Sequence, residues 1–235
     1  MSLPKQWINA PIAELVRFQG GGTPSKSDPS FWDAGTIPWV SPKDMKTFRI
    51  VDSEDHLSSK ALTRLSLIPT GSVLMVVRSG ILSRTLPLAI TMRPVTVNQD
   101  MRAMLPEDGV LPEYVVYQLI AMEHEILRGC AKNGTTVASI EAPAFARLQV
   151  SVAPTKEQTR IVAKLEELLS DLDAGVAELK AAQTKLGQYR QSLLKAAVDG
   201  SLTAEWRKKN RPKESGAQLL ERILAERRKR WEERT

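Results

Sequence analysis

His56 and His124 are the two histidines of the chain, and Cys130 is its one cysteine. Imidazole and thiolate groups can bind zinc or drive nucleophilic attack, but each chemistry needs several such groups brought together. Two distant imidazoles and one thiol fall short of a metal-ligand set. His124 stands between Glu123 and Glu125 on the side of a predicted helix that faces solvent, so a surface role is expected. Cys130 follows that helix and is expected as a packed or surface thiol. A lone cysteine rules out an internal disulfide and fits a reducing cytoplasm. Gly20-Gly21-Gly22 lacks the Gly-Lys-Ser/Thr ending and the clear preceding strand of a phosphate loop. No Gly-x-Ser-x-Gly nucleophile turn occurs, and no carboxylate pair is singled out by spacing. These residues predict no catalytic site, no metal site and no cofactor.

The elements that must position any site fall into three stretches. Residues 1–154 read as a mixed α/β (α+β) domain. Short apolar runs at Ser72–Val77, Leu88–Met92, Val95–Val97 and Leu148–Val152 lie between turn signals such as Pro69-Thr70-Gly71 and Arg93-Pro94, and predict strands. Pro112 opens a predicted helix in which Val116, Leu119, Ile120, Met122, Ile126 and Leu127 recur at helical spacing, and Gly129 closes it. Phe31, Trp32 and Trp39 read as core anchors.

Composition changes after Pro154. Thr155 and Gln158 have the spacing of a capping box. From there to Val198 there is no proline. Leu165, Leu172, Leu179, Leu186 and Leu193 fall seven apart, with Ile161, Leu168, Gly175, Ala182, Tyr189 and Ala196 between them. Alternating steps of three and four make the seam of a coiled coil over residues 155–200, and Asp199-Gly200 supplies its stop. A lone helix cannot bury such a stripe, so a matching helix from another copy or from another part of a longer polypeptide is required. Residues 201–235 form a basic connector. Ser215 and Gln218 again have capping-box spacing, and Leu220, Ile223, Leu224 and Trp231 line a short charged helix. The chain stops inside this charged stretch, which reads as a cut.

Charge follows the same division. Residues 1–155 hold 15 Lys+Arg against 14 Asp+Glu, residues 156–200 hold 7 and 7, and residues 201–235 hold 11 and 6. The net charge of +6 therefore sits almost wholly in the tail. No segment has the unbroken apolar length of a membrane span, and the N-terminus has no secretory signal pattern, so a cytoplasmic protein without membrane contact is expected.

Two segments carry a resemblance. The first joins Gly20–Lys26 (GGGTPSK), Phe31-Trp32 and Ile37–Met45 (IPWVSPKDM). The second runs from Thr155–Ala163 (TKEQTRIVA) through the leucine heptads to Ser192–Thr203 (SLLKAAVDGSLT). In order and spacing they resemble the specificity subunit of type I restriction–modification systems, over nearly the whole chain. Members of that family resemble two such halves in tandem, each a target-recognition domain followed by a spacer helix, with the spacers packed antiparallel. The resemblance implies an N-terminal half, non-catalytic, acting on double-stranded DNA beside methyltransferase (modification) subunits and a restriction/translocase subunit. The uncovered leucine stripe, for its part, allows a homodimer through the coiled coil. The Asn/Asp-Pro-Pro-Tyr/Phe motif of a methyltransferase is absent, in keeping with this.

On that footing, side chains that match groove edges are candidate readers: arginine or lysine for guanine, asparagine or glutamine for adenine. They lie in polar loops: Thr23, Ser25 and Lys26 after the glycine run; Ser41 and Lys43; Arg78, Ser79 and Arg84; Asn98 and Gln99; Lys132, Asn133 and Thr135. Arg78 and Arg84, flanking a glycine loop after an apolar strand, are the best placed to project. Asn98-Gln99 reads equally as a strand-end cap, and Gly20–Gly22 as a plain turn. Two other functions fit a domain on a coiled coil: a homodimeric DNA-binding transcription regulator, or a scaffold that binds no DNA. Neither a helix-turn-helix nor a basic-zipper pattern supports the first.

Overall fold

The computed structural model describes residues 3–132 and 137–234. In chain order the first strands are β1 (Ile8–Pro11), β2 (Val16–Gly20), β3 (Ile37–Val40), β4 (Arg49–Ile50) and β5 (Asp55–Leu57). Next come β6 (Val73–Val76), β7 (Leu88–Thr91), β8 (Thr96–Val97) and β9 (Met101–Pro106). Helices α1 (Pro112–Ala121) and α2 (Glu123–Gly129) precede β10 (Ala131–Lys132), β11 (Ser139–Ile140), α3 (Ala142–Ala146) and β12 (Gln149–Val152). The chain then enters α4 (Thr155–Val198), α5 (Ala204–Lys209) and α6 (Gly216–Glu232). Two compact units divide it, Met1–Leu168 and Leu169–Thr235.

In the first unit, a five-stranded sheet has the order β2-β9-β6-β7-β4 and a three-stranded sheet the order β5-β3-β8. Pairing is antiparallel except at β3–β8 and β4–β7. β6 is the strand its unbroken apolar run predicts. It lies between β9 and β7, and Val73, Leu74, Met75 and Val76 have no exposed surface. A strand buried on both faces shows no alternation. The main core joins these residues to Val115, Val116, Leu119 and Ile126 of α1 and α2 and to Phe145 of α3. A smaller core gathers Phe31, Trp39, Leu57 and Ala61. Trp32 stands edge-on to Trp39 with ring centroids 5.3 Å apart. Phe31 and Trp39 are thus the core anchors the sequence predicts.

Three local expectations change. The single helix predicted from Pro112 to Gly129 is two helices that break at Met122, whose ψ is 7°. At the break the Glu123 carboxylate accepts hydrogen bonds from Thr85 Oγ1 and Leu86 N, both 2.6 Å, which tie the start of the second helix to their loop. Ile120, on the predicted apolar face, is 47% exposed. Thr155 and Gln158 make no capping box. Thr155 Oγ1 donates instead to Gly109 O at 2.8 Å. Gln158, buried to 2% exposure, accepts from Leu111 N at 3.0 Å and donates to Ala153 O at 2.9 Å.

α4 runs for 44 residues, about 66 Å at the α-helical rise. Gly200, with φ of +79°, takes the left-handed conformation just beyond it, where a glycine meets no Cβ penalty. Along the leucine seam, Ile161 and Leu165 are half-buried. Leu168, Leu172, Leu179, Leu186, Tyr189 and Leu193 are 39–72% exposed. In the second unit, α6 begins with the predicted capping box of Ser215 and Gln218.

Candidate nucleic-acid interface

Strand register gathers most of the candidate loops around one turn, Val97–Met101. β8 enters this turn and β9 leaves it. The end of β2 reaches it because Gly20 pairs with Arg102, and Gly22 N donates to Val97 O at 2.9 Å. β3 arrives parallel to β8, and Asn98 N donates to Val40 O. β6 ends there too, since Val76 pairs with Met101. The Asp100 carbonyl accepts from Val77 N at 2.8 Å and Arg78 N at 3.3 Å. Last, Ser79 N donates to Ala138 O, Ile140 N donates to Val77 O, and Arg78 bridges Ser139, which brings in the β10–β11 pair.

Close approach makes this assembly possible. A Cβ on Gly21 would sit 1.9 Å from Val97 O, so only glycine lets the β2–β3 loop lie against the turn. Trp39 Nε1 donates to Gly22 O at 2.9 Å and ties the same loop to the small core. Thr23 Oγ1 donates to Gln99 Oε1, joining two candidate readers from loops 76 residues apart. With its carbonyl held by the threonine, the Gln99 amide group offers its two N–H donors outward.

The predicted readers differ in how free they are. Arg78, Arg84, Gln99, Thr23, Ser25 and Lys26 are exposed. Lys26 lines an open hollow of about 260 Å³ with Trp32 and Asp55. Ser79 caps the short turn at Gly80–Ser83 by accepting from Ile81 N. Lys43 is engaged by Asp55 at 2.8 Å and Glu54 at 3.2 Å. Hydrogen bonding to Asp55 and then Glu54 pushes its pKa above the ordinary lysine value. Glu54 is held below the usual carboxylate range by Lys46 and Lys43. Lys132 lies 3.8 Å from Glu141. Asn133 and Thr135 lie outside the described residues.

Ser41 and Asn98 are turned inward, each 6% exposed. Ser41 Oγ donates to Asp44 Oδ2 at 2.9 Å, and Asn98 Oδ1 accepts from Asp100 N at 3.0 Å. They brace the turns on which their exposed neighbours stand, and Asn98 is the strand-end cap that the sequence allowed. Sequence reasoning missed Arg102. This half-buried arginine lines a cavity of about 40 Å³ with Phe18, Met75, Val77, Ile140, Ala142 and Phe145. Among the described residues no acidic group pairs with Arg102, Arg78, Arg84 or Lys26. One charge inside the apolar run Met101–Leu105 was the signal available.

The groups with chemical potential stay apart. His56 Nε2 lies 2.7 Å from Asp52 Oδ1, and that contact lowers the Asp52 pKa. His124 is exposed. Cys130 is buried, and desolvation pushes its thiol up. No cluster of three metal-ligating side chains occurs among the described residues.

Residues 4–181 match the family model described as type I restriction modification DNA specificity domain. The chain belongs to this family. A type I restriction enzyme specificity subunit of Escherichia coli is 37% identical to this specificity-family chain over 188 residues, covering 77% of the chain and 46% of the relative. The MjaIX specificity subunit of Methanocaldococcus jannaschii is 28% identical over 168 residues, covering 69% and 38%. The chain thus spans about half the length of the curated relatives it matches. Its fold is that of an HsdS subunit from Thermoanaerobacter tengcongensis, with a TM-score of 0.61 at 20% identity over 84% of this chain and 46% of that one. A structure from a study of type I restriction–modification complex assembly gives a TM-score of 0.67 at 19% identity, covering 84% and 47%. Among the described residues no helix is long and apolar enough to cross a membrane.

Proposed function

We propose that this specificity-family chain reads one half of a bipartite double-stranded DNA target and performs no catalysis. The observation that carries the reading is the convergence of four segments on the Val97–Met101 turn. There Arg78, Gln99 and Thr23 stand exposed beside one another's backbones, and among the described residues Arg78 and Arg102 lack an acidic partner. Arginine and glutamine are suited to base edges in the major groove, while lysine and backbone amides position the phosphates. The proposed division is recognition by residues 1–154, spacing by the helix of 155–200, and connection by residues 201–235.

The exposed seam from Leu168 to Leu193 supports a matching helix, from a second copy or a second half of a longer chain. Two reading domains related by a two-fold axis would prefer an interrupted palindrome. Methyl transfer and cleavage would then belong to methyltransferase subunits and a restriction/translocase subunit, working with this chain in the cytoplasm. The test is duplex binding by the purified chain, alone and with a methyltransferase partner, at one fixed salt concentration, since salt sets the phosphate contribution. Affinity that depends on base sequence is expected. Equal affinity for all duplexes would overturn the reading and leave an assembly scaffold.

A further inference from the structure

The small core carries two cations on one buried ring. Phe31 is 3% exposed, and Lys60 Nζ and the Arg64 guanidinium lie 4.9 Å and 5.3 Å from its ring centroid. Lys60 stands on the short turn Ser59–Thr63, and Arg64 ends it. That turn is pinned beside the ring, since Ser58 N donates to Phe31 O at 2.8 Å and Ser58 Oγ to Ser30 O at 2.7 Å. The two cations differ in what else they meet. Lys60 Nζ donates to Ser30 Oγ and lies 3.6 Å from Asp28 Oδ2. Arg64 is exposed, and among the described residues no acidic group pairs with it. The next residue, Leu65, packs on the small core and touches the glycine loop. A Cβ on Gly22 would sit 3.0 Å from Leu65 Cδ2, and Gly22 N in turn donates to Val97 O. Bond lengths then hold the Cα atoms of Gly22 and Arg64 within about 12 Å of each other. A DNA strand carries one phosphate every ~3.4 Å along the helix axis, so roughly three or four phosphates fall within that span.

We propose that Arg64 is a phosphate-contacting residue: it grips the backbone of the duplex whose bases the Val97–Met101 turn reads, and so fixes where the domain sits along that duplex. The inference rests on the DNA reading above. The ring selects the kind of contact. A guanidinium laid against Phe31 hugs the protein surface, whereas base edges lie on the floor of a major groove about 8.5 Å deep. Backbone phosphates stand on the rim of that groove, within reach of a side chain that does not project. The planar fork of an arginine matches two phosphate oxygens at once. Such contacts set register and orientation without carrying sequence information. Phe31 steadies the guanidinium in place, so less rotamer freedom is lost when a phosphate arrives. Lys60 shares the ring but not the role, because Asp28 and Ser30 already take its ammonium. That pairing also offsets the Asp28 charge, which would otherwise repel a phosphate beside the ring.

The experiment uses the full chain. Duplexes it selects from a random-sequence library are titrated by fluorescence anisotropy over a series of salt concentrations, with wild type, Arg64→Gln, Arg64→Lys and Lys60→Gln. In Arg64→Gln the slope of log affinity against log salt should become shallower by about 0.9, the value of one phosphate contact, so the loss is about eightfold larger at 0.1 M than at 1 M salt. The loss should be the same for the selected site and for sites altered at any one base. Arg64→Lys keeps the charge and should keep the slope. Lys60→Gln should change the slope far less than Arg64→Gln does. A loosened small core would weaken binding equally at every salt concentration. An Arg64→Gln slope equal to wild type would therefore overturn the inference, and so would a loss confined to one base position. Should wild type bind all duplexes alike while the Arg64→Gln slope still falls, sequence reading fails and the phosphate contact stands. A wild-type chain that binds no duplex would overturn both.

Discussion

Arg78 is held at its backbone and free at its side chain. Its N–H binds the Asp100 carbonyl and its strand position bridges Ser139, yet its guanidinium meets no acidic partner among the described residues. On the proposed reading, such a group is preorganised to contact a base edge. Arg78→Ala should weaken binding to the preferred site by about 1–3 kcal/mol, roughly 5- to 150-fold, read by fluorescence anisotropy at fixed salt. Loss confined to one base position would mark base reading; an even loss with a smaller salt slope would mark a phosphate contact. Lys43→Ala should change far less, because Asp55 and Glu54 already occupy that ammonium. Cys130 gives a second residue-level test. Burial raises its pKa, so the folded state holds the thiol proton more tightly than the unfolded chain does. Its contribution to stability is therefore complete below the ordinary thiol pKa and is lost as pH rises above it. Alkylation of the native protein near pH 7.5 should be at least about tenfold slower than in denaturant.

At the scale of elements, the packing of the Gly20–Lys26 loop on the Val97–Met101 turn is decisive. Gly21→Ala should force the loop off Val97 O, costing about 1–3 kcal/mol and weakening DNA binding together. Gly20→Ala is the control, because no heavy atom lies within 4 Å of the Cβ it would carry. Thermal denaturation and duplex binding on the two variants would check this. Such elements were unevenly legible in the sequence. β6 and α4 follow from apolar runs and heptads, since period and length are local properties. β9 does not, because Arg102 interrupts its pattern. The break at Met122 carries no glycine or proline; what accompanies it is a contact of the Glu123 carboxylate with a loop nearly forty residues away, which no local pattern reveals. The candidate site was legible as separate polar loops but not as one surface. Thr23 meets Gln99, and Arg78 meets Asp100, only through the registers of β2, β6 and β9. Ser41 and Asn98 match the chemistry of readers, yet serve their own turns, a choice that depends on burial.

At the scale of the whole molecule, the seam that sequence period revealed is left open by the chain itself. Leu172, Leu179 and Leu186 are 62%, 72% and 69% exposed. Covering each would contribute about 1.5–3 kcal/mol before the cost of association, which is what the proposed partner helix would draw on. On the proposed pairing of two copies through this seam, Leu179→Glu with Leu186→Glu should shift sedimentation toward the monomer and leave the recognition domain folded. A length change tests the spacing role more directly. Inserting seven residues within 169–192 preserves the alternation of three and four, so the stripe still faces its partner. It adds about 10.5 Å of helix, close to three base-pair steps. The preferred gap between half-sites should grow by about three base pairs, while the bases read in each half stay the same. An insertion of four residues rotates everything beyond it relative to the stripe, and binding to paired sites should fall even where length alone would fit. Unchanged spacing after the seven-residue insertion would show that the helix joins the reading domains without measuring the distance between them.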